Sequence, residues 1–372
     1  MRKHTAFLFA LALLLGTAFS TGQPVKAEEA SGSSLKVMTF NVWHGLRSGE
    51  SRKRFPGEDA DRAAERFDWQ IEEIKRLDPD VLLFQEVNPN QPQSRRYAEA
   101  LGYDEIHKVT SCGLHLGAIY KIPKNVNEGI AILAKPKLGL QRAGKKRLSG
   151  NAKCSATWGF QTKESRYALF GVITIGEQKA LVVTTHLAAP AFVPAGFDDQ
   201  LEELVKEGMI TAEQRDEILA ERDRKQARNV GETEHLLKEI AKHQGRLAPA
   251  GAYPPTILGG DFNAEPDYPG IATVKKSGWT EAATGPEFYT WNPVLNHVNY
   301  GIGTKRHFSL PTFDKPQVEA MLDERHDTPR QIDHIFVSPK IRVVSAEMVM
   351  NEPKDGIYPS DHFGLLTTIE LP

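Results

Sequence analysis

The stretch Pro254-Pro255-Thr256-Ile257-Leu258-Gly259-Gly260-Asp261-Phe262-Asn263-Ala264-Glu265-Pro266 runs from a short apolar segment into two glycines and then offers Asp261 and Asn263 two positions apart. In an extended chain, side chains two apart share a face. A carboxylate and a carboxamide therefore leave the end of a buried strand together. Such a pair suits an activated water, since the carboxylate can orient it or take its proton and the amide can hold a phosphoryl oxygen. Gly, Asp and Asn are also ordinary turn formers, so a strand-closing Asx turn accounts for the same residues. This stretch alone leaves both readings open.

Outward from it, the chain alternates strands and helices. Residues 35–42 (LKVMTFNV) alternate and are β-rich, and 80–87 (DVLLFQEV) read as a buried strand ending in polar residues. Between them, residues 58–77 place Ala60, Ala63, Ala64, Phe67, Ile71, Ile74 and Leu77 at helical intervals before Asp78-Pro79 stops the helix. This strand–helix–strand opening is typical of α/β layering. Further short strands are predicted near 115–120, 129–134, 155–161, 166–175, 179–186, 255–260, 332–337, 341–349 and 363–370. Residues 198–243, dense in Glu, Lys and Arg, read as one or two exposed helices with a break at 208–211, and a solvated face is their default role. Residues 285–331, rich in Pro, Gly, Asn and His, read as a long functional loop. No repeat or Gly/Ser linker divides the chain, so one domain over 35–372 is expected.

Polar residues collect where these strands end: Asn41, Glu86, His186, Asp261 with Asn263, Asp333 with His334, and Ser360-Asp361-His362. A single strand-end polar residue is usually a cap or solvent contact. Six such sites behind six apolar strands are harder to explain that way. Carboxylates and carboxamides dominate the set. Hard oxygen ligands select Mg²⁺, Mn²⁺ or Ca²⁺ over structural zinc, and two histidines beside acids suit acid/base work. The absence of GxSxG, P-loop and HExxH motifs argues against serine hydrolase, NTPase and zincin readings.

The ordered series Thr39-Phe40-Asn41, Gln85-Glu86, Glu128-Gly129-Ile130-Ala131-Ile132-Leu133, Thr185-His186-Leu187, Gly260-Asp261-Phe262-Asn263, Gln331-Ile332-Asp333-His334-Ile335 and Ser360-Asp361-His362 resembles the endonuclease/exonuclease/phosphatase superfamily. The resemblance runs from about residue 35 to the C-terminus. It implies an α/β fold, a four-layered α/β sandwich with two facing mixed β-sheets flanked by helices. It also implies Glu86 as principal metal ligand, supported by Asn41 and Asp361, with Mg²⁺ the expected ion and Mn²⁺ or Ca²⁺ the alternatives. Asp261 and Asn263 match the water- and phosphate-orienting pair. His362 matches the terminal histidine, with Asp333 as its orienting carboxylate. His186 matches the second histidine of the deoxyribonuclease and sphingomyelinase branches, with Glu128 as its partner. His186-Leu187-Ala188-Ala189-Pro190 is locally similar to the deoxyribonuclease branch.

The substrate is read from weaker signals. Arg2 and Lys3, an apolar run from Ala6 to Phe19, and Val25-Lys26-Ala27 read as a secretory signal peptide cleaved after Ala27. An exported monomer is expected, beginning with a short polar segment (28–34). The full chain carries a formal charge of −2, and removing 1–27 takes away Arg2, Lys3 and Lys26 but no acid, so nothing global draws it to nucleic acid. Locally, Lys135, Lys137, Arg142, Lys145, Lys146, Arg147 and Lys153 stand without an acid among them, as a phosphate-binding patch or a solvated hairpin tip. Lys145, Lys146 and Arg147 are its centre. A nuclease-like phosphodiesterase on DNA or RNA is the first expectation. A sphingomyelinase-like phosphoesterase, making transient contact with a membrane surface through Phe288, Tyr289, Trp291, Tyr300, Phe308 and Phe313, is the second. A non-catalytic binding protein on the same scaffold is the third. Cys112 and Cys154 are either a disulfide or two inert thiols.

Overall fold

Two parallel strand pairs inside otherwise antiparallel sheets decide where the polar strand ends lie. A computed structural model describes residues 34–46, 57–116, 120–155, 158–193, 196–248, 253–300 and 328–372, all within one compact unit, Ser33–Pro372. The expected signal peptide, most of the 28–34 segment, Phe308, Phe313 and the side chain of Tyr300 lie outside the described residues.

In chain order the first half comprises β1 (Ser34–Asn41), α1 (Ala60–Leu77), β2 (Val81–Val87), α2 (Asn90–Leu101), β3 (Asp104–Ser111), β4 (Leu114–Leu116), β5 (Tyr120–Ile122), β6 (Glu128–Ala134), β7 (Gln141–Ser149), β8 (Lys153–Cys154) and β9 (Trp158–Phe160). The second half comprises β10 (Arg166–Ile175), β11 (Gln178–His186), α3 (Phe197–Lys206), α4 (Ala212–Leu247), β12 (Thr256–Asp261), α5 (Pro269–Lys276), β13 (Thr280–Glu281), α6 (Pro293–Tyr300), β14 (Asp333–Val337), β15 (Arg342–Val349) and β16 (Gly364–Glu370). One six-stranded sheet has the order β15-β16-β1-β2-β6-β3, and the other β13-β14-β12-β11-β10-β7. A small third sheet has the order β5-β4-β9-β8.

The two large sheets face one another across an aliphatic core. Val37, Leu83, Ile130, Ile132 and Leu365 from the first meet Leu169, Val182, Ile257, Ile335 and Val337 from the second. Phe67, Ile71 and Ile74 of α1 and Tyr97 of α2 cover the outer face of the first sheet, against Phe40, Phe84 and Leu133. Leu236 and Ile240 of α4 and Ile271 and Val274 of α5 cover the second, against Phe170, Val183, Leu258 and Phe336. The result is the expected four-layered sandwich of two mixed sheets flanked by helices. Because each sheet is covered on both faces, its central strands read as unbroken apolar runs rather than alternating ones. Asp59 caps α1 by accepting from the amides of Asp61 and Arg62, and Asp78 ends it in left-handed backbone before Pro79.

Strand direction does the rest. β1 runs parallel to β2, and β11 parallel to β12, while β6, β14 and β16 run antiparallel to their neighbours. Asn41, Glu86, His186 and Asp261 therefore end strands at the rim where Glu128, Asp333 and His362 begin or precede them.

Several elements depart from the expectation. α2 and β3 occupy a segment with no helical or alternating apolar signal strong enough to mark them. β7, where the basic run falls, is the edge strand of the second sheet and not a hairpin tip, since an edge strand tolerates charge along its length. Residues 198–243 are not merely a solvated face either. The second half of α4 buries Leu236 and Ile240 as a layer helix, and α3 packs Phe197 and Leu201 on Ile218. The two cysteines form the Cys112–Cys154 disulfide, with Cα atoms 5.9 Å apart.

Gly260 makes a close backbone contact at the rim. It lies opposite Thr185 with φ +147°, and a Cβ there would stand 2.1 Å from the Thr185 carbonyl oxygen. We expect Gly260→Ala to lower the unfolding free energy by about 2 kcal/mol or more, measured by urea denaturation. An unchanged midpoint would contradict this packing.

Candidate active site

Three residues lie side by side across the second sheet. His186 is the register partner of Asp261, and Asp261 that of Asp333. His186 Nε2 stands 3.3 Å from Asp261 Oδ2, and the His362 imidazole closes the row, its Nδ1 2.7 Å from Asp333 Oδ2 and its Nε2 3.9 Å from Asp261 Oδ2. From the first sheet, Asn41 donates its amide to Asp261 Oδ2 at 3.1 Å. Ser360 anchors the His362 segment by donating to the Asn41 carbonyl at 2.6 Å and accepting from the His362 amide at 3.1 Å.

Asp261 closes the turn with one oxygen and leaves the other for the cleft. Asp261 Oδ1 accepts the Asn263 amide at 2.7 Å, which closes an Asx turn, while Oδ2 faces the histidines. The proximity of Asn263 therefore comes from this turn, with φ 52° at Asn263, and not from extended alternation. Its side-chain amide donates to the Leu187 carbonyl at 3.0 Å, which fixes its orientation.

Glu86 is placed by an irregularity. Pairing between β2 and β6 slips between Phe84 and Val87, and Glu86 itself has φ 56°, costly for a side chain of this type. Buried Gln85 holds the bulge, donating to the Leu83 carbonyl at 2.9 Å and to Thr184 Oγ1 of the opposite sheet at 3.0 Å. The His44 amide donates to Glu86 Oε2 at 3.3 Å, with His44 Nε2 3.6 Å from the same oxygen.

Charge is distributed unevenly. Burial opposes ionisation of Glu86, yet His44, His186 and His362 draw its pKa down to about 2. Burial and neighbouring Asp333 push Asp261 up to about 8. Burial and Glu86 push Glu128 up to about 7, and burial lifts Asp361 to about 6. The histidines part in opposite directions. Burial and then Arg166 hold His186 well below its ordinary value. For His362, burial is outweighed by Asp333, Asp361 and Asp261, which raise it well above.

This donor set fits a hard divalent cation. Glu86, His186 and Asp261 offer ligand atoms within 4.8 Å of one another, as do Asp261, Asp333 and His362. Asp333 Oδ1 is buried with no hydrogen-bond partner, an unsatisfied oxygen of the kind a cation would complete.

Asn41, Glu86, His186, Asp261, Asn263, Asp333, Asp361 and His362 thus gather at one rim. Glu128 joins them, but not as the partner of His186. The two share no hydrogen bond; the charges acting most strongly on Glu128 are those of Glu86 and His44, and the carboxylate against His186 is Asp261. His334 belongs to the core, held between Glu281 at 2.7 Å and the Ala264 carbonyl at 2.7 Å. The basic run disperses. Lys135 and Lys137 pair with Asp80 at the end of the first sheet opposite the rim, and Lys146 with Glu239 at 3.2 Å, leaving Arg142, Lys145 and Arg147 exposed on β7. Two residues were missed. His44 lies beyond the end of β1 and looks like a loop residue. Arg166 opens β10, pairs with Glu164 at 2.9 Å and exerts charge on Glu128 and Asp261. Its place directly before an apolar strand was the available signal.

The sequence profile of the Endonuclease/Exonuclease/phosphatase family matches residues 38–362. No curated protein matches the chain. Among solved structures, an endonuclease/exonuclease/phosphatase family protein from Bacteroides thetaiotaomicron is similar with a TM-score of 0.54 at 18% identity, over 92% of this chain and 99% of that one. A mannosyl-6-phosphatase of the same species gives 0.52 at 19% identity, over 90% and 99%. The human Nocturnin catalytic domain with bound sulfate gives 0.50 at 17% identity, over 91% and 94%. At these identities the likeness is one of fold.

The carboxyl groups raised by burial bind protons in the folded state that the unfolded chain has released, so their contribution to stability falls as pH rises toward their folded values. The raised His362 works in the same direction above its unfolded value. We expect the cation-free protein to melt a few degrees lower at about pH 8.5 than at about pH 7, and added Mg²⁺ to restore more stability at the higher pH. A melting temperature indifferent to Mg²⁺ across this window would exclude cation binding by the cluster.

Proposed function

We propose that this chain, which belongs to the endonuclease/exonuclease/phosphatase family, is an exported, divalent-cation-dependent phosphodiesterase with Mg²⁺ as its ion. Membership of the family makes it a phosphoester hydrolase. The finer reading is carried by the row His186–Asp261–Asp333–His362 facing Glu86 across the mouth of the sandwich. Glu86, Asn41 and Asp361 would hold the cation, whose chemistry when bound is polarisation of a phosphoryl oxygen.

The protein's own residues divide the remaining work. His186, kept neutral beside Asp261, accepts a proton from the attacking water. Asn263, fixed on the Leu187 carbonyl, positions water and phosphate. His362, kept charged by Asp333, hydrogen-bonds the phosphoryl group as negative charge builds on it. The Cys112–Cys154 bond fits an oxidising compartment and so supports export.

Nucleic acid is the first substrate reading, supported by the local similarity around His186 and by Lys145 and Arg147 on β7. A phospholipid head group is the second, favoured by Leu114, Leu116, Tyr120, Trp158 and Phe160, which stand exposed on the small sheet. Among the described residues of 285–313, the aromatics face the protein: Phe288 packs against the core, Tyr289 on Phe363, and Trp291 under Arg330.

Assaying residues 28–372 with Mg²⁺, Mn²⁺ or Ca²⁺ against DNA, RNA, sphingomyelin and small phosphodiesters separates these readings. Inactivity on every substrate with every ion would remove the enzyme reading. We expect Glu86→Ala and His362→Ala each to lower turnover by about a hundredfold or more with the fold retained. Full activity in either would refute the assignment.

A further inference from the structure

The small sheet is built inside out. Cross-strand partners share a face and successive residues alternate. Leu114 pairs with Ile122, Leu116 with both Tyr120 and Trp158, and Phe160 with Lys153, so all of these share one face. The opposite face carries His115, Lys121, Gly159 and Cys154. There His115 and Gly159 are buried so closely that a Cβ on Gly159 would meet the His115 ring at 2.2 Å and Cys112 Sγ at 2.9 Å. Small and polar residues thus point inward and large apolar ones outward. Leu116 is 61% exposed, and Leu114, Tyr120, Trp158 and Phe160 are each more than 40% exposed. These five make up most of the exposed large hydrophobic residues among the described ones. A contiguous apolar face of this kind marks an interaction site. It is firmly seated on the end of β3: Gln161 Oε1 accepts from Ser111 Oγ and from the amides of Cys112 and Gly113 at 2.8–3.2 Å, and the disulfide ties Cys112 to β8.

We propose that this face docks on a membrane surface rich in anionic lipid, with Leu116 and Trp158 entering the boundary between head groups and acyl chains. Charge selects this occupant. The described segments 112–116, 120–127, 150–155 and 158–163, which carry the sheet, contain Lys121, Lys124, Lys153 and Lys163 and no Asp or Glu, with Lys153 on the apolar face itself, in a chain whose acids outnumber its bases. A second copy on this face would bring together two patches of the same sign with no acid on either to pair with. Single-stranded nucleic acid could stack on Tyr120, Trp158 and Phe160. It would have no use for Leu114, Leu116 and Ile122, and Leu116 is the most exposed of the set. No helix among the described residues is long and apolar enough to cross a membrane.

Ser111 is the register partner of Glu128, so the sheet leaves the core at the rim of the site. Docking stands on the surface itself; that it delivers a phosphoester from the lipid–water boundary rests on the phosphodiesterase reading above.

Co-sedimentation of residues 28–372 with vesicles of phosphatidylcholine alone, and of equimolar phosphatidylcholine and phosphatidylglycerol, tests the proposal. We expect binding to the anionic vesicles and weaker binding to the neutral ones. The double variant Leu116→Ser, Trp158→Ser should bind the anionic vesicles about tenfold or more weakly, while cleaving a soluble phosphodiester at the wild-type rate. Sedimentation by a protein inert toward every phosphodiester would keep the docking face and sink only the catalytic reading. The docking proposal is overturned by absence of vesicle binding or by equal binding of the variant. It is also overturned by a solution dimer that the two substitutions dissolve, or by retention of a single-stranded oligonucleotide on this face without vesicle binding.

Discussion

Asp261 and Asp333 stand opposite one another on neighbouring strands, both buried, with Glu86, Glu128 and Asp361 close by. Like charges in so little water cannot all ionise, so the cluster must shed charge, share protons or bind cations. No chain would collect these groups for stability alone, because burying unpaired carboxylates costs free energy that hydrophobic burial must offset. The offset comes from the aliphatic layer between the sheets and the two outer layers under the helices, which fix the strands regardless of what their ends carry. The same rigidity holds Glu86 in left-handed backbone at a bulge, a conformation the surrounding strands must impose.

The two histidines differ because their neighbours differ. His362 touches a carboxylate with a short hydrogen bond and senses two more, which favours the charged ring. His186 shares the cluster, but burial and Arg166 act against its charge. One imidazole ready to take a proton and one holding its own, separated by Asp261, form an arrangement suited to water activation on one side and charge stabilisation on the other. Arg166 thereby acts on the site without occupying its centre.

The sequence reading recovered what rests on apolar periodicity and on polar residues at the ends of apolar runs. Strands 34–41, 81–87, 178–186 and 256–261 stood within about two residues of their observed bounds, and with them Asn41, Glu86, His186 and Asp261. What escaped it lacked such a signal. α2 buries Tyr97 and Ala98 on an otherwise polar helix, and β7 is an edge strand crowded with cations. The partner of His186 depended on which carboxylate a register row brings beside it, and register between distant strands is not visible along the chain. Strands were expected near 115–120 and 155–161, but the outward orientation of the small sheet escaped for a related reason. Leu114, Leu116, Trp158 and Phe160 alternate as core strands do, and nothing in the alternation says which face looks outward.

The residues that position the site extend well beyond those facing the cleft. Asn229 of α4 donates to the carbonyls of Ala188 at 2.8 Å and Phe262 at 3.0 Å, joining the loop after His186 to the turn after Asp261. One helical turn on, Glu232 accepts the Ala188 amide at 2.7 Å and the Arg228 guanidinium at 2.9 Å. Both are almost fully buried, and both belong to the segment whose composition suggests a solvated helix. Buried polar side chains that satisfy backbone groups of two separate loops hold those loops in one relative position. Half of α4 thus serves as a covering layer, and one polar turn of it braces the loop after His186 against the turn after Asp261, while the β11–β12 register sets the distance between those two residues themselves.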